Sequence, residues 1–180
     1  MSSLVTSVEA LQSYSKDKYK EMGEVFTPAK IVREMIAAAK MNWSDKSLKY
    51  FDPCAGKGIF VAVLVEEFLL PSQPDFSLEH TLESQVYMAE YQKESAIDIE
   101  SVFDPESKFK LNLYVGDTRK MPSDFFDIPW EARAAKYPEH CTDSHLARVL
   151  NRSTGEPVSY IDEVPQRAPG NGKANAELHY

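Results

Sequence analysis

Three short apolar runs in this chain each stop at an acidic residue, and a helical stretch follows each of the first two. Leu48-Lys49-Tyr50-Phe51 ends at Asp52, Val86-Tyr87-Met88-Ala89 ends at Glu90, and Leu111 to Val115 ends at Gly116-Asp117. Short runs rich in β-branched and aromatic residues, bounded by turn formers, read as strands. Ile59 to Leu70 is apolar on nearly every side until Glu66 and Glu67, as suits a helix pressed against a sheet. The stretch from about Lys93 to Phe103 carries Ala96, Ile97, Ile99 and Phe103 as its apolar set. Strands that alternate with helices pair in parallel through right-handed crossovers. The expectation is an α/β chain with a partial parallel sheet, helices on both faces, and all three acids on one edge of the sheet.

The flanks are less regular. Met1 to Met22 is polar, with Tyr14, Tyr19, Lys16, Lys18 and Lys20, and reads as a helix or arm on the surface with a solvated lysine face. Thr27-Pro28 opens a helix, with Thr27 as N-cap and Pro28 at its first position. Its residues Ile31, Val32, Met35, Ile36 and Ala39 form one stripe expected to pack inward. Beyond Asp117, prolines and glycines break the pattern, leaving helices at about Trp130 to Lys136 and Asp143 to Leu150, a strand at Val158 to Ile161, and an irregular tail. The chain divides into an arm over 1–22, a central half-domain over 23–121 and a C-terminal extension over 122–180.

A length of 180 residues with 43% of them hydrophobic allows one respectable core but not two. The net charge of -8 argues against a surface that grips phosphate everywhere, since that affinity comes from Lys and Arg. Cys54 and Cys141 show no metal-ligand spacing, and His140, Cys141, Asp143 and His145 read as incidental on a helical surface. No metal is expected. No apolar run approaches the roughly 20 residues a membrane span needs. A soluble, cytoplasmic protein without membrane contact is the expectation.

The chemistry concentrates in Asp52-Pro53-Cys54-Ala55-Gly56-Lys57-Gly58-Ile59-Phe60, where a strand turns into a helix. Glycines there let the backbone approach a ligand lying across the carboxyl ends of the strands. A dinucleotide fingerprint is weakened because Val61 stands where its third glycine would be. Asp52, Glu90 and Asp117 converge on the same crevice. Three acids suit a ligand that presents an ammonium group, two ribose hydroxyls and an amino-purine edge, as S-adenosylmethionine (SAM) does.

Gly23-Glu24-Val25-Phe26-Thr27-Pro28, the Asp52 to Phe60 turn, Glu90 and Gly116-Asp117 together resemble the SAM-binding motifs of adenine-N6 DNA methyltransferases. The likeness is to type I modification subunits and fused type II restriction-modification enzymes, over roughly residues 20 to 120. It implies a Rossmann-like methyltransferase fold with SAM as cofactor and DNA as partner. It also implies that Phe26, Thr27 and Pro28 line the methionine end. Asp52, with Pro53, Cys54, Ala55, Gly56 and Gly58 of the turn, would hold the amino-acid moiety. Glu90 would accept from the ribose hydroxyls with Tyr91 against the adenine, and Asp117, beside Thr118, would meet the adenine amino group. Lys57 stands where the family more often has a small residue, and would either pair with the cofactor carboxylate or obstruct it.

The resemblance is partial. The family's Asn/Asp/Ser-Pro-Pro-aromatic turn, which holds the extruded base, does not occur in these residues. The nearest string is Asp127-Ile128-Pro129-Trp130. It reads either as a degenerate form of that turn, with Asp127, Pro129 and Trp130 as catalytic candidates, or as a proline-ended turn that starts the next helix. The chain thus looks truncated before or at the catalytic motif. In this fold a fourth strand covers the first, so the edge at Leu48 to Asp52 needs cover from the segment after about Pro122, from a second copy or from a partner subunit. Three functions remain open: a methyltransferase in minimal form, a non-catalytic SAM-binding subunit or decoy of a restriction-modification system, and an enzyme acting on SAM itself.

Overall fold

The computed structural model describes residues 3–20 and 26–149. Gly23, Glu24 and Val25, the strand expected at Val158 to Ile161 and the tail lie outside the described residues, as do the side chains of Lys16, Lys18, Tyr19 and Lys20. The chain is α/β. Its elements in order are α1 (Leu4–Lys20), α2 (Ala29–Ala38), β1 (Tyr50–Asp52), α3 (59–72), α4 (Leu78–Ser84), β2 (Val86–Glu90), α5 (Lys93–Phe103), β3 (Asn112–Val115), α6 (Trp130–Lys136) and α7 (Asp143–Val149). Helix α3 runs from Ile59–Val63 through a π-helical stretch, Leu64–Leu69, into Leu70–Ser72.

The three strands lie in the order β1-β2-β3, all parallel. Alternation along them sends side chains to two faces. Val86, Met88, Leu113 and Val115 join α1, α2, α3 and α5 in the main core, whereas Ala89 and Tyr114 meet Phe125 and Cys141 on the other face. Both faces are therefore covered by helices, as a parallel sheet requires. Helix α1 is more than a surface arm: it buries Val5 and Val8 and packs on α3 and α5. Its first turn is capped from α3, where Glu66 accepts from Ser3 Oγ at 2.8 Å and from the Val5 N–H at 3.0 Å.

Helix α2 departs from expectation in two ways. It begins at Ala29 with Pro28, not Thr27, as N-cap, and the Pro28 carbonyl accepts from the N–H groups of Ile31 and Val32. Only Ala29, Val32 and Ile36 are buried, while Ile31 and Met35 stay exposed, because the neighbour α3 covers a narrower face than the apolar stripe presents. Helix α4, not anticipated in the sequence, is started by Ser77, whose hydroxyl accepts from the His80 N–H at 3.1 Å.

The segment after Pro122 folds back across the sheet face and not along its edge. Phe125 meets Tyr114 edge-on at 5.0 Å between ring centroids, and Arg133 on α6 donates to the Asn112 side chain at 3.1 Å. Phe126 reaches furthest, touching Tyr87 and then Phe51 on β1. Among the described residues, the backbone hydrogen bonds of β1 run toward β2, the Tyr50 N–H donating to Gln85 O at 2.7 Å.

Candidate functional site

The carboxyl ends of the three strands open into one crevice of about 750 Å³, lined by Phe26, Pro53, Cys54, Gly56, Glu90, Tyr91 and the run from Gly116 to Lys120. The loops that build it are tied to one another. The Ala55 N–H donates to Ala89 O at 2.9 Å, the Gly116 N–H to Glu90 O at 2.8 Å, and the Thr118 hydroxyl to Pro53 O at 2.6 Å. Glu90 holds the centre: it is buried, and its carboxylate accepts from the Gly56 N–H and the Gln92 N–H, each at 2.7 Å. One side chain thereby fixes the loop after β1 against the loop after β2.

The two glycines of the first turn do different work. Gly58, at φ 88°, faces α5, where a Cβ would sit 2.7 Å from Phe103 Cε2. Gly56, at φ 55°, faces open space, with nothing within 4 Å of where its Cβ would be. Only the second leaves room for a ligand. Lys57 between them neither reaches into the crevice nor blocks it. Its side chain is buried and ion-paired with Asp98 on α5, so of the two roles expected for it the structure adopts neither.

Asp52 is not among the residues that line the crevice; its carboxylate accepts from the Cys54 N–H at 3.1 Å, and burial raises its pKa above the usual range. Burial, reinforced by the nearby Asp52 and Glu90 carboxylates, also pushes the Cys54 thiol up, so it is a poor nucleophile at neutral pH. Asp117 behaves oppositely. The Arg119 guanidinium donates to both of its oxygens, at 2.9 and 2.8 Å, and holds its pKa down at about 2.

Residues 9–96 match the family described as N-6 DNA Methylase. This part of the chain belongs to that family. No curated protein and no solved structure matches the chain. The methylase match includes α1 from Glu9 onward, Phe26, the glycine turn and Glu90, and stops before β3. Residues 9–96 are therefore a segment of DNA N6-methylase type. Among its described residues no helix is long and apolar enough to cross a membrane.

Of the site residues expected in this methylase segment and after it, Phe26, Pro53, Cys54, Gly56, Glu90, Tyr91, Asp117 and Thr118 line the crevice. Thr27 and Pro28 lead into α2, Ala55 is buried beneath the turn, and Gly58 packs on α5. Asp127, Pro129 and Trp130 are not brought to the crevice. Asp127 and Pro129 are exposed elsewhere, and Trp130 is buried at the start of β3, its indole N–H donating to Leu111 O at 3.1 Å. The crevice lies at the other end of that strand. His145 stacks on Trp130 at 3.7 Å and contacts its carbonyl, and Arg148 lies over the same ring. This string is a proline-ended turn that opens α6 onto the sheet.

Among the described residues no group of three His, Cys, Asp or Glu side chains is placed to hold a metal. His140 contacts Val115 O at 2.9 Å and lies on Tyr114, while His145 serves α6 as described. Gly116 enters the sequence reading only as part of the Gly116-Asp117 motif, and Arg119 and Lys120 line the crevice without a role expected for them. Arg119 has a signal in the sequence: a basic residue two positions after the strand-end acid.

Proposed function

We propose that the crevice holds SAM, within a half-domain spanning 23–121, and that the chain serves methyl transfer from SAM to adenine in DNA. The observation that carries this reading is Glu90, a buried carboxylate fixed by backbone donors from two loops at the end of the central strand. A carboxylate oxygen accepts more than one hydrogen bond, so the same oxygens can also take ribose hydroxyls. The volume lies in the range of small-molecule sites, and Gly56 leaves one wall open to a ligand atom.

Tyr91, 74% exposed at the crevice, offers a ring face to the adenine, and Asp117 offers an acceptor to its amino group. Phe26 closes the side toward α2, at the methionine end. Asp52 acts from beneath, holding the Cys54 backbone and with it the turn. When bound, SAM supplies an electrophilic methyl carbon; the protein's part is to bind and orient it.

The burial of Trp130 favours a second reading of the same site. Here the chain binds SAM, and groups other than Asp127 to Trp130, in another part or another subunit of a restriction-modification system, hold the target base. Both readings are tested by calorimetric titration with SAM. Wild type is expected to bind one equivalent, and Glu90→Gln to bind about tenfold or more weakly, a loss near 1.4 kcal/mol. Because Glu90 also ties two loops, Tyr91→Ala serves as the companion variant, expected to weaken binding with its urea midpoint unchanged. A folded wild type that takes up no SAM refutes both readings. Methyl transfer to mixed-sequence DNA then separates them.

A further inference from the structure

Asp117 is gripped at the crevice rim by its own turn. The Arg119 main-chain N–H and Nε donate to Oδ1 at 3.1 and 2.9 Å, and Nη2 donates to Oδ2 at 2.8 Å. We propose that Arg119 is a positioning and specificity-determining residue, which presents the Asp117 carboxylate to purines carrying an amino group and against purines carrying a carbonyl there. The inference rests on the reading of the crevice as a SAM site and adds to it which residue sets the base preference.

Three features support it. The planar guanidinium matches a carboxylate in a two-point fork, which fixes orientation as a single cation would not. Arg119 is 88% exposed while Asp117 is 18% exposed, so the arginine is held by this fork and not by packing. Exposed ion pairs add little stability, so the pair is poorly explained as a fold device. Both residues line the crevice together with Tyr91 and Lys120. Arg119 also keeps Asp117 charged far below neutral pH, with Lys120 adding to that effect and Tyr114 lying behind. A fixed anion accepts from an amino group and repels a carbonyl oxygen in the same position, and a site built to pair with one polar group rejects the analogue that lacks it.

The test compares S-adenosylhomocysteine with S-inosylhomocysteine, which carries a carbonyl in place of the amino group and a hydrogen on the adjacent ring nitrogen, by calorimetric titration of wild type, Arg119→Ala and Arg119→Lys. Wild type is expected to prefer the adenine ligand by about tenfold or more, Arg119→Ala by less than about threefold, and Arg119→Lys to fall between. The preference of wild type should also shrink at high salt, as an exposed pair is screened. An unchanged preference in Arg119→Ala overturns the inference and leaves the cofactor reading standing. Equal weakening of both ligands overturns it too, since that is the mark of a merely structural residue. Binding of neither ligand by folded wild type overturns the cofactor reading and this inference with it.

Discussion

Gly56 and Gly58 are two positions apart, yet alanine at each is expected to fail differently. Both have positive φ, where a side chain costs about 1–2 kcal/mol. At Gly58 the new methyl would also lie 2.7 Å from Phe103 Cε2 and 3.3 Å from Cζ. Phe103 is 1% exposed in the main core, so its ring has nowhere to swing. Overpacking of this kind adds about 1–3 kcal/mol. Gly58→Ala should therefore lose about 2–5 kcal/mol, a large share of the stability of a domain this size. Gly56→Ala should lose only about 1–2 kcal/mol, because nothing occupies the space its methyl would enter. Its penalty should appear in SAM binding instead, since that methyl projects from a crevice-lining residue. Urea unfolding gives the first quantity and calorimetry the second. Gly58→Ala within about 1 kcal/mol of wild type, or Gly56→Ala the less stable of the two, would refute the assignment of one glycine to packing and the other to the site.

Lys57→Met removes the buried member of an ion pair whose other member, Asp98, is 28% exposed; a loss of about 1–3 kcal/mol is expected, with most of it recovered in Lys57→Met/Asp98→Leu. Urea midpoints of the two variants decide this, and a double variant no better than the single one counts against the pairing. His145 is buried on Trp130, and burial lowers its pKa from 6.5 to about 4. The folded state disfavours its proton, so its contribution is complete above pH 6.5 and is lost as pH falls toward 4, by about 3 kcal/mol in all. Thermal unfolding of wild type and His145→Phe across that window should show a steeper acid loss in wild type; parallel profiles would refute the burial argument.

Much of the fold is legible in the sequence because a strand that ends in an acid and a turn declares both its period and its stop. Val86–Glu90, Lys93–Phe103 and Trp130–Lys136 all fall where the apolar spacing puts them. Helix α4 is harder to read, since seven residues with Leu82 as their one buried aliphatic side chain show little periodicity. The side-chain directions around the glycine turn are harder still. Lys57 points into α5 because its neighbours adopt left-handed backbone, a choice invisible in the string Gly-Lys-Gly. Trp130 follows a proline as a base-stacking aromatic would, and only tertiary packing reveals that it seals the opposite end of β3. Strand order alone puts the three acids on one edge, and the crevice there is lined by Glu90 and Asp117 but not by Asp52, while the arginine that grips Asp117 becomes meaningful only with its distances.

The central claim, that the crevice at the strand ends takes SAM, is tested most directly by amide NMR of the isotopically labelled protein during a SAM titration. The N–H signals of Gly56, Gln92 and Gly116, which are the donors to Glu90, should shift together and saturate at one equivalent, while those of Ala134 and Val149 on α6 and α7 stay in place. A well-dispersed spectrum that SAM leaves unchanged, or shifts confined to α6 and α7, would contradict the account.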